Sequence, residues 1–411
     1  MVTSGKIKIL QWSSLAIVLL VLAALVAVSC AQATPSPTAA PVPTKTFGAP
    51  APTTAPAAPT AAAAPQPTGA PAAAAAKPII WEFASALPAT HFTQVPITEF
   101  ADQVAKESNG RLQFKLNWSA TLVKSSETLA ALKENTVQAG WTGTTDYEDI
   151  LPAFKVMQLP LAILPEKAVE NAADVRAFWE RYLKLMWTDE VRKYLGQRLE
   201  ALGVRVLWEA AVPPNFVFAK QPIASLPDWK GLKLRSYSPS GAAVMQALGA
   251  SAVTLSSSEV STALERGVVQ GLITAHSSMA SLKWYEFANV ASHWPLQGGI
   301  PVYTLVSKAA WEKLPPDLQA VVEKVMKDQQ PAERTFELGW KQEEAALKDL
   351  QSQYKGRVVP IGLAEMKEAR EKAVPFFQQA IKAAGAEGQT AAKTIWGSVW
   401  DKDFMERVVG K

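Results

Sequence analysis

The chain has 411 residues, 48% of them hydrophobic, which is enough for a sizeable core in two or three domains. Its formal charge is +4 with 19% charged residues, and no basic run interleaves with aromatics, so there is no case for nucleic acid as a partner. A single cysteine excludes an internal disulfide and leaves no basis for a metal cluster.

Lys6 and Lys8 precede an apolar run from Leu15 to Val28, and Ser29 and Cys30 follow. A positive start, a short apolar stretch and small residues form a secretory signal over residues 1–29. The run falls short of the ~20 residues a membrane helix needs. Ala27-Val28-Ser29-Cys30 resembles a bacterial lipobox, with Ala27 where Leu is usual, so Cys30 is the expected lipidation site. The protein is therefore expected outside the cytoplasm, on a membrane through an N-terminal lipid; an uncleaved signal would anchor it equally. Residues 30–77 are almost only Ala, Pro, Thr, Ser, Gly and Gln, a composition that cannot bury enough apolar surface to fold. They read as an extended tether.

The folded part begins near Pro78. "IIWEFAS" from Ile79 reads as a strand, "ITEFADQVAKESNG" from Ile97 as a helix with a Gly stop, and "RLQFKLNW" from Arg111 as an alternating strand. Residues 171–202 form one long helical stretch, "VRVLWEA" from Val204 and "GLKLRSY" from Gly231 are strands, and the pattern from Leu314 onward is mostly helical.

One phrase occurs twice. "SSETLAALKENTVQAGWT" (Ser125 to Thr142) and "SSEVSTALERGVVQGLIT" (Ser257 to Thr274) align without a gap. Each opens with a Ser cap and an acidic first turn, with Glu127 and Glu259 in that role. Leu129 and Leu132, and then Val260 and Leu264, give a buried helical stripe. Asn135 and Gly267 fall at the same place and suit a left-handed stop. An apolar strand follows in each copy, ending in Thr142 and Thr274. Ligands of open α/β sheets bind outside such carboxyl ends, so two α/β lobes would face each other across one cleft.

Arg235 ends a strand, and Ser238-Pro239 then caps a helix. An Arg fork beside free helix-start amides suits a carboxylate, although an Arg in such a place can also be a surface charge. Trp118, Trp141, Trp208, Phe216 and Tyr237 lie near strand ends; each alone reads as core before ligand wall, and Tyr237 is the best placed to cover an apolar ligand body. His91 lies in a loop after the first strand, His276 follows Thr274 and could reach the cleft mouth, and His293 reads as surface. No nucleophile elbow, phosphate loop or cysteine pair appears, so no catalytic residue, metal or cofactor is expected.

"LPDWKGLKLRSYSPSGAAVMQALGASAVTLSSSEVSTALERGVVQG", with "YTLVSKAAWEKLPPDLQAVV", "FASALPATHFTQVPITEFADQVAKESNGRL", "MQLPLAI" and "LGVRVLWE", resembles the dicarboxylate-type (DctP) periplasmic solute-binding proteins of TRAP transporters. The resemblance implies an α/β, two-lobed periplasmic-binding-protein fold with hinge strands and a long C-terminal helical region. It sets lobe I at 78–212 and 301–340 and lobe II at 213–300 and 341–411. It implies an organic acid trapped as the lobes close and handed to the membrane subunits of a TRAP transporter. The family's carboxylate-binding arginine falls on Arg235, and His91 lies in a loop that often faces the cleft. Two departures stand out: Asn215 lies where many members carry a second Arg, and Thr274 where many carry Asn. A second buried carboxylate would lack a partner, so a monocarboxylate with an uncharged body is expected, with Thr142 and Thr274 supplying hydrogen bonds. A ligand-sensing module for a separate receptor and an extracytoplasmic hydrolase are the competing readings.

Overall fold

The structure, a computed structural model, describes residues 77–255 and 257–410. The signal, Cys30 and all but the last residue of the tether lie outside the described residues. Among the described residues no helix is long and apolar enough to cross a membrane.

The strands are β1 (Ile79–Ala84), β2 (Leu112–Asn117), β3 (Ala139–Gly143), β4 (Val204–Val212), β5 (Asn215–Ala219), β6 (Lys233–Ser236), β7 (Ser251–Thr254), β8 (Gly271–Thr274), β9 (Val290–Gln297), β10 (Ile300–Ser307) and β11 (Arg357–Val359). They form two sheets, ordered β2-β1-β3-β10-β4 and β11-β9-β5-β8-β6-β7. Read from the other end, the second sheet repeats the first. β7, β6 and β8 are parallel like β2, β1 and β3, and β5 and β9 then run antiparallel as β10 and β4 do. The first sheet thus borrows β10 from beyond the second, whose own β5 runs straight on from β4, and the architecture is mixed α/β with two lobes.

The borrowing makes the hinge. β4 passes into β5 through Pro213 and Pro214 alone, and β9 into β10 through Gly298 and Gly299. The pairs Val212↔Ile300 and Asn215↔Gln297 flank these links, so the two crossings run side by side. The prolines stiffen one strand by fixing φ. The glycines leave room for Tyr182: a Cβ at Gly298 would sit 2.6 Å from its ring, and one at Gly299 2.9 Å from the Val212 carbonyl.

The repeated phrase folds the same way twice. A helical turn and helix Thr128–Lys133 lead to β3, and helix Ser257–Glu265 leads to β8. Asn135 (φ 56) and Gly267 (φ 68) both take the left-handed conformation. Behind them, Thr136 N donates to Ala131 O at 3.0 Å and Val268 N to Ala263 O at 2.9 Å. The glutamine shared by the two copies ties each strand to its neighbour. Gln138 exchanges two bonds with Glu82 of β1, amide to carbonyl (3.1 Å) and side-chain oxygen from amide (3.0 Å). Gln270 does the same with Lys233 of β6 at 2.7 and 2.9 Å. Each seals the start of a parallel pair, where a backbone donor would otherwise be left open.

The helical stretch 171–202 is two helices, Ala172–Met186 and Asp189–Ala201. Thr188 restarts it, its hydroxyl accepting from Val191 N at 3.3 Å. The first lobe's core gathers Trp81, Phe83, Phe100, Leu112, Trp208 and Trp311 under its sheet. The C-terminal helices bridge the lobes. Helix Pro331–Ser352 packs on β4, on helix Val95–Glu107 and on helix His276–Ser281 of the second lobe. Helix Leu363–Ala383 packs on helix Pro239–Ala247 of lobe II, while Trp396 and Trp400 donate to the Val156 and Ala162 carbonyls.

Candidate ligand site

β6 lies between β7 and β8, and Arg235 stands near its carboxyl end opposite Val253 and Leu272. The chain then turns sharply. Ser236 Oγ accepts from Ser238 N at 3.1 Å, and Ser238 Oγ caps helix Pro239–Ala247 by accepting from Gly241 N at 3.1 Å. Leu255, just past β7, donates its amide to Ser236 O and accepts from Arg235 Nε at 2.9 Å. The guanidinium is thereby fixed by one edge, with its carbon 5.8 Å from the Tyr237 ring centre and 5.9 Å from that of Trp284.

Arg235 is only 2% exposed. Burial pulls its pKa below the usual guanidinium range, to about 10, so it remains charged at neutral pH. Among the described residues no carboxylate pairs with it, and its two terminal nitrogens carry no hydrogen bond. A buried cation without a countercharge is costly to hold, and the cost falls when an anion arrives.

Arg235 lines a cavity of about 720 Å3 between the lobes. Lobe II supplies Tyr237, Thr274, Ser277, Ser278 and Ser281; lobe I supplies His91, Phe92, Trp141, Gly143 and Asp146. The hinge gives Asn215, Val212 and Val302, and the long helix gives Gln342. Among the described lining residues Arg235 is the only Lys or Arg, and Asp146 is the only Asp or Glu. Burial is the first cause of a raised pKa at Asp146, opposed by its hydrogen bond from Ser125. His91 is neutral: burial takes it to about 4. Its Nδ1 accepts from Thr93 N at 3.3 Å, so its proton sits on Nε2.

Five of the expected ligand residues, Arg235, Tyr237, Thr274, Asn215 and His91, share this cavity's lining. The side chains divide by direction. The Tyr237 ring faces the cavity, while its hydroxyl is buried with no partner among the described residues, and burial holds it protonated. Asn215 points back along the hinge, its amide donating to Pro213 O at 3.4 Å.

The other expectations need correction. Thr142 is outside the lining, because strand pleating places it opposite Trp141 and Gly143, which do face the cavity. Trp118 also lies outside. It follows β2, the edge strand of the first sheet, and packs on Phe83 with ring centres 5.7 Å apart. Trp208 packs on Phe100 and Phe216 on His293, the core placement that the sequence favours for each aromatic taken alone.

His293 is not surface and His276 is not at the cleft mouth; both are fully buried. β9 is an interior strand buried on both faces, which takes His293 inside. The polar contacts fix both tautomers. His293 Nδ1 donates to Val169 O at 2.9 Å, so its Nε2 accepts from His276 Nε2–H at 2.9 Å. His276 Nδ1 in turn accepts from the Tyr285 hydroxyl at 2.7 Å. Burial holds both rings neutral, His293 with a pKa of about 4.

Two buried carboxylates near the cavity had no sequence signal. Glu148 accepts from Ser240 Oγ of lobe II at 2.9 Å. Glu343, on the long helix, accepts from His276 N at 3.0 Å and Ser277 N at 2.8 Å. Burial raises each to about 7.

The model of the bacterial extracellular solute-binding proteins, family 7, matches residues 83–383. The chain is 27% identical over 260 residues to the C4-dicarboxylate-binding periplasmic protein DctP of Rhodobacter capsulatus, covering 62% of this chain and 72% of that one. It is 26% identical over 234 residues to a solute-binding protein of Verminephrobacter eiseniae, covering 56% of this chain and 65% of the relative. Among solved structures, a Bordetella pertussis extracytoplasmic solute receptor binding pyroglutamic acid superposes with TM-score 0.66 at 24% identity, over 78% of this chain and all of that one. A TRAP periplasmic solute-binding protein of Chromohalobacter salexigens with bound D-glucuronate gives 0.67 at 18% identity, over 77% and 99%. The sugar acid binding protein of Advenella mimigardefordensis, in complex with galactonate, gives 0.63 at 23%, over 78% and 99%. The chain belongs to family 7 of the bacterial extracellular solute-binding proteins.

Proposed function

We propose that the protein captures a small organic monocarboxylate between its lobes, pairs the carboxylate with Arg235, and delivers it to the membrane subunits of a TRAP-type transporter. One observation carries this reading: a charged, buried guanidinium on the cavity wall whose terminal nitrogens have no partner among the described residues. A carboxylate supplies two acceptors in the plane that the fork requires. The Tyr237 ring and Trp141 then cover the ligand body, and Thr274, Asn215 and the serines of helix His276–Ser281 offer polar contacts.

The charge balance favours one carboxylate over two. A second would find no cation in the described lining and would meet Asp146. Pyroglutamate, D-glucuronate and galactonate, the ligands of the related structures above, are monocarboxylates with polar, uncharged bodies, and they are the first acids to test. Closure is a hinge motion at the two crossing links, and capture involves no chemical step. The lipid at Cys30 would keep the protein at the membrane where its transporter sits.

A thermal-shift screen of organic acids tests the reading, since a ligand selective for the native state raises the melting point. A monocarboxylate should give the largest shift. Succinate binding tightly while no monocarboxylate binds would overturn it. Loss of acid uptake on deletion, with no turnover by the purified protein, would separate transport from sensing and hydrolysis.

A further inference from the structure

One side-chain bond joins the two lobes beside the ligand cavity without belonging to the hinge. Glu148 follows the helical turn Thr144–Asp146, which comes directly after β3, and its loop is held firmly to lobe I. The neighbouring Tyr147 is buried, and its hydroxyl accepts from Leu129 N at 3.1 Å and donates to Ser125 O, pinning the loop to the first copy of the repeat. Phe154, on helix Pro152–Met157 just beyond, stacks on Tyr303 of β10 with ring centres 5.6 Å apart. Ser240 is as firmly placed in lobe II. It lies in the first turn of helix Pro239–Ala247, which Ser238 caps and which packs on β6 and β7. The same turn carries Arg235 and Tyr237 into the cavity.

Ser240 Oγ donates to Glu148 Oε2 at 2.9 Å, and the bond is buried at both ends, with Ser240 3% and Glu148 8% exposed. Thr145 and Asp146 line the ligand cavity on one side of it. On the other side a second cavity, of about 360 Å3, is lined by the same two residues with Glu148, Ser240 and Phe376. That space keeps loop and helix from packing directly, so a hydrogen bond joins them at this margin.

We propose that Glu148 is the latch of the closed form: its carboxyl group takes the Ser240 hydroxyl when lobe I meets the Arg235 turn, and the bond slows the opening that releases the ligand. The effect on release rests on the function proposed above; the effect on closure does not.

Glu148 Oε1 has no hydrogen-bond partner among the described residues, so no second bond competes with Ser240 for the carboxyl group. The acceptor also sits at the start of a nine-residue helix, where the dipole favours negative charge. Bonds at the crossing links, such as Gln297 Nε2 to Gln158 O at 3.1 Å, lie at the pivot and outlast a rotation about it. The Glu148 bond runs from a loop of one lobe to a helix start of the other, outside those links, and a hinge motion breaks it. A bond made only in the closed form adds its whole weight to the closed-to-open ratio.

Double electron–electron resonance tests closure. Spin labels on E134C and R266C, exposed positions at matching places in the two copies of the repeat, report open and closed populations in an otherwise full chain carrying C30S. Without ligand, E148A and S240A should each lower the closed-to-open ratio about tenfold, the weight of one such bond. The double variant should lower it no further, since both changes remove the same bond. E148Q keeps an acceptor and should stay within about threefold of the wild type. Stopped-flow binding of pyroglutamate should show dissociation about tenfold faster in E148A and S240A, with association within about twofold, a split that general loss of structure would not give. A closed-to-open ratio unchanged in S240A would overturn the proposal, and so would effects of E148A and S240A that add. If E148A does not fold, S240A decides; if the empty wild type is wholly open, the dissociation rates decide. A wild type wholly open with every acid as well would overturn it. Ratios that behave as stated while pyroglutamate, D-glucuronate and galactonate all fail to bind would fault the function and not the latch. Acid binding lost in R235A, with ratio and dissociation indifferent to S240A, would fault the latch and not the function.

Discussion

Replacing Arg235 with Ala should abolish tight acid binding while leaving the empty protein folded. The two halves have one cause. Burial lowers the guanidinium pKa from its ordinary value to about 10, which corresponds to about 3 kcal/mol against the charged form in the fold. The folded pKa is depressed, so this cost is present at every pH below about 10 and fades only as the group deprotonates. The variant therefore sheds a penalty of about 3 kcal/mol. It gives up the Nε bond to Leu255, about 1 kcal/mol, and the packing of the stem between Tyr237 and Trp284. These nearly cancel, and the ligand-free melting point should move by only a few degrees. Binding has no such compensation. Truncating one side of a buried charge pair costs about 2–5 kcal/mol, and a site already desolvated to this degree should lose roughly a hundredfold or more in Kd. Arg235→Lys should lose about tenfold, because an ammonium keeps the charge without the fork or the Leu255 bond. Calorimetric titration with the best acid from the screen, beside a melt of each empty variant, reads both halves. A Kd for R235A within threefold of wild type would refute the reasoning, as would an empty R235A that fails to fold.

Three further outcomes follow from the same geometry. Asp146→Asn removes the one described carboxylate of the lining, so succinate should gain about tenfold while a monocarboxylate changes little; competition binding reads the ratio. Glu148 has its pKa raised from 4.5 to about 7, so its folded form holds an extra proton between those values, and its share of stability, up to about 3 kcal/mol, is present at low pH and lost as pH rises toward 7. Melting temperatures of E148Q across pH 5 to 8 should accordingly show a shallower decline than the wild type. Gly298→Ala places a methyl 2.6–2.9 Å from the Tyr182 ring at the hinge and should cost about 1–3 kcal/mol, read as a lower melting point.

The repeat was legible because it is written in short-range chemistry. Caps, an apolar stripe and a left-handed stop each occupy a few neighbouring residues, and Asn135 and Gly267 duly share one conformation. Arg235 could be placed at a strand end from its own block. What escaped depends on pairing across the chain. Thr142 shares its repeat position with Thr274, yet the pleat turns it from the cavity in favour of Trp141 and Gly143. Trp118 stands at the edge of a sheet whose order no local pattern gives. His293 is buried because β9 lies between β5 and β11, and β11 arrives some sixty residues later. Glu343 carries no local mark in the sequence, because its amide partners lie 67 and 66 residues upstream.

The central claim is tested most directly by a crystal structure with a bound acid. The carboxylate is expected against the terminal nitrogens of Arg235, at the ~2.8 Å of a charge-assisted pair, with Tyr237 and Trp141 over the ligand body. An acid seated elsewhere, or one whose carboxylate is held by other donors while Arg235 contacts only water, would contradict it.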